Sequence, residues 1–112
     1  MDCLFCKIIS GDIPSKKAYE DDHVLAFYDI APQAPVHIVL VPKDHILSAA
    51  AIDGQNSYLI AHLFEAVANI ASELSLTEGF RVVTNCGEQG GQTVAHLHFH
   101  LLAGRNLTWP PG

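Results

Sequence analysis

The run His96-Leu97-His98-Phe99-His100-Leu101 constrains the chain most. Polar and apolar residues alternate strictly, which is the period of a β-strand and not of a helix. In a strand, His96, His98 and His100 share one face, while Leu97, Phe99 and Leu101 share the other and pack on a core. Same-face neighbours lie roughly 6.5–7 Å apart along a strand, close enough for three imidazoles to surround one small anion or one metal ion. A strand over residues 94–102 is therefore expected, entered from a loop containing Gly87, Gly90 and Gly91. If that loop makes a hairpin, residues 80–84 form its other arm.

Upstream, residues 3–9 read as a short helix ended by Gly11 and Pro14, and residues 16–20 as an edge strand. Residues 24–28 alternate before a loop with Pro32 and Pro35. Residues 37–41 are apolar and largely β-branched, a buried strand closed by Pro42. Asp44-His45-Ile46-Leu47 begins a connector. Leu59, Leu63, Val67, Ile70 and Leu74 recur at helical spacing, so one long helix is expected over about residues 56–76, with Gly79 as its stop. Trp109-Pro110-Pro111-Gly112 fits neither helix nor central strand. Strands joined by hairpins with one main helix argue for an α+β fold with an antiparallel sheet. At 112 residues there is room for one domain, taken as 1–112.

The chain carries 6 basic and 12 acidic residues, a formal charge of −6. Such a surface disfavours general binding to nucleic acid or anionic lipid, so any phosphate must be held locally. No apolar stretch is long enough to span a bilayer, and Met1-Asp2-Cys3-Leu4 lacks the basic start and apolar run of a leader. A cytoplasmic protein is expected, in which Cys3, Cys6 and Cys86 are thiols or metal ligands and not disulfides.

The histidine strand suits phosphoryl or nucleotidyl transfer. Neutral imidazole is a nucleophile near pH 7, and the charged form can donate hydrogen bonds to a phosphate oxygen. The central His98 is the expected nucleophile. A surface strand with polar residues outward and a His-x-His metal site are the competing readings. Gly90-Gly91-Gln92-Thr93 enters the strand, and Asn85 stands across the same loop. This is either an ordinary glycine-rich hairpin or a phosphate cradle, since glycines let backbone approach a phosphate. Cys3-x-x-Cys6 places two thiols on one helix face. They are either small semi-buried residues or half of a tetrahedral site completed by two imidazoles.

The His-x-His-x-His signature with its preceding residues 85–95 resembles the histidine triad (HIT) family, in its nucleotide-binding Hint branch. Residues 29–37, 41–45 and 109–112 share the resemblance. It implies a five-stranded antiparallel sheet with one long and one short N-terminal helix, paired with a second copy into a homodimer. It further implies hydrolysis of purine nucleoside phosphoramidates, such as adenosine monophosphate joined to an amine. His98 would form a nucleotidyl-histidine intermediate and His100 would bind phosphate oxygens, with His96 completing the catalytic run. Gly91, Gln92 and Thr93 would bind the phosphate region, Asn85 the ribose or phosphate, and Asp29 the ribose hydroxyls. Ile30, Phe5, Ile8, Ile13 and Phe27 would line the base pocket, though all five also read as core. The resemblance implies structural zinc on Cys3, Cys6, His45 and His96, with no cofactor needed for the chemistry. His96 would then serve the metal and not the leaving group. Cys86 is left as a bystander.

Two other classes compete with the hydrolase. One is a nucleotide-binding or scaffold protein with little turnover. The other is a metalloprotein whose histidine run is only ligands; the Gly-Gly-Gln-Thr loop and Asp29 argue against it.

Overall fold

A computed structural model describes residues 3–112; Met1 and Asp2, read above only for the absence of a leader, lie outside them. The elements run α1 (Leu4–Ser10), β1 (Lys17–Glu20), β2 (Val24–Tyr28), β3 (Val36–Pro42), a 3-10 turn (Ala49–Ala51), α2 (Tyr58–Glu73), β4 (Phe80–Val83) and β5 (Phe99–Ala103). The five strands form one antiparallel sheet in the order β1-β2-β3-β5-β4. The expected α+β class, the β4–β5 antiparallel pairing and the edge position of β1 are all present.

Both faces of the sheet are covered, so β2 and β3 read as nearly continuous buried runs. On one face Val24, Ala26, Ile38, Leu40 and Leu101 pack against Leu59, Leu63, Val67 and Ile70 of α2. On the other, Leu25, Phe27, Val39 and Val41 pack against Phe5 and Ile8 of α1. Period two sends neighbouring residues of a strand to opposite layers, so β2 and β3 each serve both cores.

The terminal boundaries have local causes. Cys3 caps α1, its Sγ accepting the Cys6 N–H at 3.4 Å, and Gly11 ends the helix at φ 88° while its N–H returns to the Ile8 carbonyl. α2 is shorter than its periodicity suggests. Asp53 and Asn56 bond each other's backbone in a turn that precedes it, and Ser75 at φ 55° terminates it. Leu74, counted on the apolar face, therefore lies beyond the last turn and is exposed.

The strand expected over residues 94–102 is corrected most. β5 begins only at Phe99, because β3 supplies its last partner at the pair Leu40–Phe99 and β4 at Val83–His100. Residues 94–98 run beside the connector instead, the Leu97 N–H meeting the Ile46 carbonyl at 2.6 Å. Alternation nevertheless survives: Leu97, Phe99 and Leu101 all enter the α2 core.

Leu63 is wholly buried between α2 and the sheet. Truncation to alanine removes three carbons of packing and leaves a cavity that the surroundings refill only in part. Leu63→Ala is expected to cost about 2–5 kcal/mol, read from urea unfolding with an unchanged slope; a loss under about 1 kcal/mol would contradict this packing.

Candidate functional site

The segment that runs into β5 delivers the three imidazoles to two places on the α1 face of the sheet. Phe5 stands edge-on to both His96 and His98, at centroid distances of 5.9 and 4.9 Å. On one side His96 joins Cys3, Cys6 and His45; on the other His98 and His100 pair at 5.1 Å. The three rings thus do not encircle a single point, as a continuous strand had suggested.

His98 is buried, and its Nδ1 lies 2.7 Å from the His96 carbonyl oxygen. A carbonyl only accepts, so Nδ1 carries the proton and Nε2 keeps a free lone pair. His100 is governed by a longer chain. The backbone N–H of Gln33 donates to His37 Nδ1 at 3.0 Å, which leaves the His37 proton on Nε2. That Nε2–H faces His100 Nδ1 at 2.9 Å and the Asp29 carboxylate at 3.4 Å. His100 Nδ1 accepts, so its own proton sits on Nε2. Burial lowers the proton affinity of the His100 ring, and the neighbouring His98 and His37 add to this against the opposing pull of Asp29. Asp29, His37 and His100 lie close enough to suggest a metal site. The Gln33 N–H argues against one, because a ring whose Nδ1 accepts has no lone pair on Nε2 to offer.

His98 and His100 open onto a cavity of about 490 Å³. Phe5, Ile8, Ile13 and Phe27 form apolar walls of it, and Asp29, Ile30 and Thr93 lie along its lining. Phe5, Ile8 and Phe27 belong to the core under α1 and also face the cavity. Ile30 is fully exposed at 101%, an apolar side chain left in solvent at the cavity lining. Asn85, Gly91 and Gln92 do not line the cavity; they build the loop beside it. Asn85 Nδ2 donates to the Gly90 carbonyl at 2.7 Å. The Gln92 amide accepts from the Gly87 N–H and donates to the carbonyls of Leu47 and Val94. A side chain at Gly90 would collide with the Cys86 carbonyl oxygen, which explains a glycine there. Cys86 lies beside Ser48 and outside the cavity.

His37 is the residue that sequence reasoning passed over. Its parity with Val39 and Val41 was the available signal, since alternation along β3 puts it on the His100 side.

The second cluster has matched chemistry. His96 Nε2 lies 2.9 Å from the Pro42 carbonyl, so it carries the proton and Nδ1 is bare. Nδ1 lies 3.1 Å from His45 Nδ1, 3.3 Å from Cys3 Sγ and 3.6 Å from Cys6 Sγ, while Cys6 Sγ is 3.4 Å from His45 Nδ1. Ligands at zinc's usual bond lengths and tetrahedral angle stand ~3.3–3.8 Å apart. The donor set therefore fits a thiolate- and imidazole-seeking ion, and the Pro42 carbonyl supplies the outer bond that orients such a histidine. Without a cation, burial and the Cys3 thiol push the Cys6 thiol up.

Residues 10–107 match the HIT domain. The chain belongs to the HIT family. It is 47% identical over 113 residues to the 14 kDa zinc-binding protein of Brassica juncea, covering 99% of this chain and all of that one. It is 46% identical to the Adenylylsulfatase HINT1 of Arabidopsis thaliana, over 97% of this chain and 76% of that one. A crystal structure of a HIT family hydrolase from Legionella pneumophila superposes with a TM-score of 0.96 at 46% identity, covering 99% of this chain and 100% of that one. The five-stranded antiparallel sheet with one long and one short helix is thus the HIT fold.

The buried His100 carries a pH signature. Its folded ring holds a proton less readily than the unfolded chain does, so the unfolded state protonates first. Stability is then lost as pH falls through the ordinary histidine range near about 6.5. The melting temperature of the metal-loaded protein is expected to drop between pH 7.5 and 5.5, and to drop less in His100→Asn; equal slopes would contradict this burial effect.

Proposed function

We propose that the chain hydrolyses purine nucleoside phosphoramidates through a nucleotidyl-histidine intermediate on His98. The observation that carries this reading is the His98 Nδ1–H bonded to the His96 carbonyl at 2.7 Å, which leaves Nε2 bare at a nucleotide-sized cavity. The base would lie among Phe5, Ile8, Ile13, Phe27 and Ile30, with the ribose hydroxyls at Asp29. Thr93 lines the cavity near the histidines and would donate to the phosphate. Gly91, Gln92 and Asn85 would serve by holding the loop that presents it.

In the first step the Nε2 lone pair of His98 bonds to the α-phosphorus, and the phosphorus–nitrogen bond to the amine breaks. The departing amine takes one proton from solvent. His98 retains Nδ1–H and becomes a cationic, easily displaced group. Water then forms the new phosphorus–oxygen bond, the Nε2–phosphorus bond breaks, and one proton returns to solvent. His100, through Nε2–H, would stabilise charge on the equatorial oxygens in both steps. The Arabidopsis relative is named an adenylylsulfatase, and its name supports an adenylyl group as the half of the substrate held in the cavity.

Incubation with adenosine 5′-phosphoramidate, quenched without acid, tests the reading by mass spectrometry. Wild type is expected to turn over and to show adenylated protein. His98→Ala should lose both, with activity down by on the order of 10⁴–10⁶-fold. Tight nucleotide binding without turnover or adduct in wild type would instead favour a binding protein.

Cys3, Cys6, His45 and His96 would hold a structural zinc ion, which supplies cross-linking between α1 and the histidine segment and no part of the reaction. The relative named for zinc binding supports this choice of ion. A homodimer is supported by the sheet edges. β1 carries charged Lys17 and Glu20 and a register shift, which protect an edge, whereas the opposite edge strand β4 leaves the apolar Phe80 exposed. Native mass spectrometry reads both claims. Wild type should weigh twice the 12.1 kDa chain plus about one zinc ion per chain. Cys3→Ser/Cys6→Ser should lack the metal; equal zinc content in the two proteins, or a monomer in wild type, would overturn the corresponding claim.

A further inference from the structure

The bond that sets the His37 tautomer comes from an irregular loop, residues 29–35, between β2 and β3. Inside the loop, Asp29 Oδ1 accepts the Ala31 N–H at 2.8 Å and Gln33 Nε2 donates to the Ala31 carbonyl at 2.9 Å. These bonds brace its bend but do not fix it relative to β5. That connection is made by the turn directly after β5. Arg105 Nε donates to the Gln33 carbonyl at 3.0 Å, spanning 72 positions of sequence. Gly104, at φ 95°, lies so close to Pro35 that a side chain there would stand 2.8 Å from Pro35 Cβ and 3.1 Å from its Cγ. Two adjacent residues thus grip two points of one loop, and one of those points is the residue whose N–H reaches His37.

We infer that the Gly104-Arg105 turn is a latch that positions Gln33 and thereby keeps the His100 Nε2–H aimed at the substrate phosphate. The chain of contacts is continuous. Arg105 and Gly104 hold the loop, the Gln33 N–H holds His37 Nδ1 as acceptor, and His37 Nε2–H holds His100 Nδ1 as acceptor. If Gln33 moves away, the Asp29 carboxylate at 3.4 Å alone favours the proton on His37 Nε2, and the tautomer with its proton on Nδ1 becomes accessible. His37 Nε2 then becomes an acceptor facing His100 Nδ1, and two lone pairs meet unless His100 also switches tautomer. A switched His100 presents a bare Nε2 to an anionic phosphate, where it repels the charge it should stabilise. Arg105 and Gly104 are therefore positioning residues that touch no substrate. No residue of the turn lines the cavity, so its loss should spare ground-state nucleotide binding. The inference rests on the hydrolase reading for its kinetic consequence but not for its structural one.

The test combines both readouts on zinc-loaded wild type, Arg105→Ala, Arg105→Lys and Gly104→Ala. In nucleotide-free protein, ¹⁵N NMR of the imidazoles should show wild-type His37 with a bare Nδ1 and protonated Nε2. In Arg105→Ala and in Gly104→Ala, if the latter folds, the two nitrogens should move toward averaged positions; Arg105→Lys, which keeps one donor, should restore the wild-type pattern. With adenosine 5′-phosphoramidate, Arg105→Ala should lower kcat roughly fivefold with KM nearly unchanged, the scale of one hydrogen bond lost from the chain. A single, unchanged His37 tautomer in Arg105→Ala overturns the latch whatever the activity. So does a KM rise with kcat intact. If wild type shows no turnover, the hydrolase reading fails while the tautomer comparison still decides the latch.

Discussion

The hydrogen bond from His98 Nδ1 to the His96 carbonyl joins two residues of one short segment and settles what the His98 ring can do. Imidazole has two nitrogens and, when neutral, one proton; where that proton sits decides which nitrogen keeps a lone pair. The carbonyl is fixed because its own residue is anchored twice, by the His96 ring on the Pro42 carbonyl and by its place in the sulfur and imidazole cluster. The histidine that leaves the cavity therefore serves the one that stays. The cluster is also tied to the cavity wall, since α1 contributes Cys3 and Cys6 to the one while its Phe5 and Ile8 line the other.

The same principle recurs around the site. Four imidazoles trace their proton placement to a backbone group: the Pro42 carbonyl for His96, the His96 carbonyl for His98, the Gln33 N–H for His37 and, through it, His100. Backbone groups hold their positions more rigidly than side chains, so the site is preorganised before substrate arrives. Leu97, Phe99 and Leu101 underwrite this by burying alternate side chains in the α2 core, which prevents the segment from rotating. A one-residue slip would exchange every histidine for a leucine or phenylalanine.

The parts of this design legible in sequence are those with a period or a spacing. Alternation across residues 96–101 correctly separated histidines from core residues, and the spacing of Leu59, Leu63, Val67 and Ile70 located α2. The start of β5 was not legible, because it depends on where β3 and β4 cease to offer partners and not on residues 94–98 themselves. Gln92 and Asn85 were read as donors to a ligand, whereas their amides bond the loop's own surroundings, a choice made by loop geometry that no periodicity records. The role of Gln33 was invisible for a different reason. Its contribution is a backbone N–H, common to nearly every residue, and only the fold brings it to His37.

The central claim is the placement of protons on the four imidazoles, and neutron diffraction from crystals grown at pH 7.5 in heavy water observes it directly. Deuterium is expected on His98 Nδ1, His96 Nε2, His37 Nε2 and His100 Nε2, with His98 Nε2 bare toward the cavity. Deuterium on His98 Nε2, or a bare Nε2 on His100, would contradict the account.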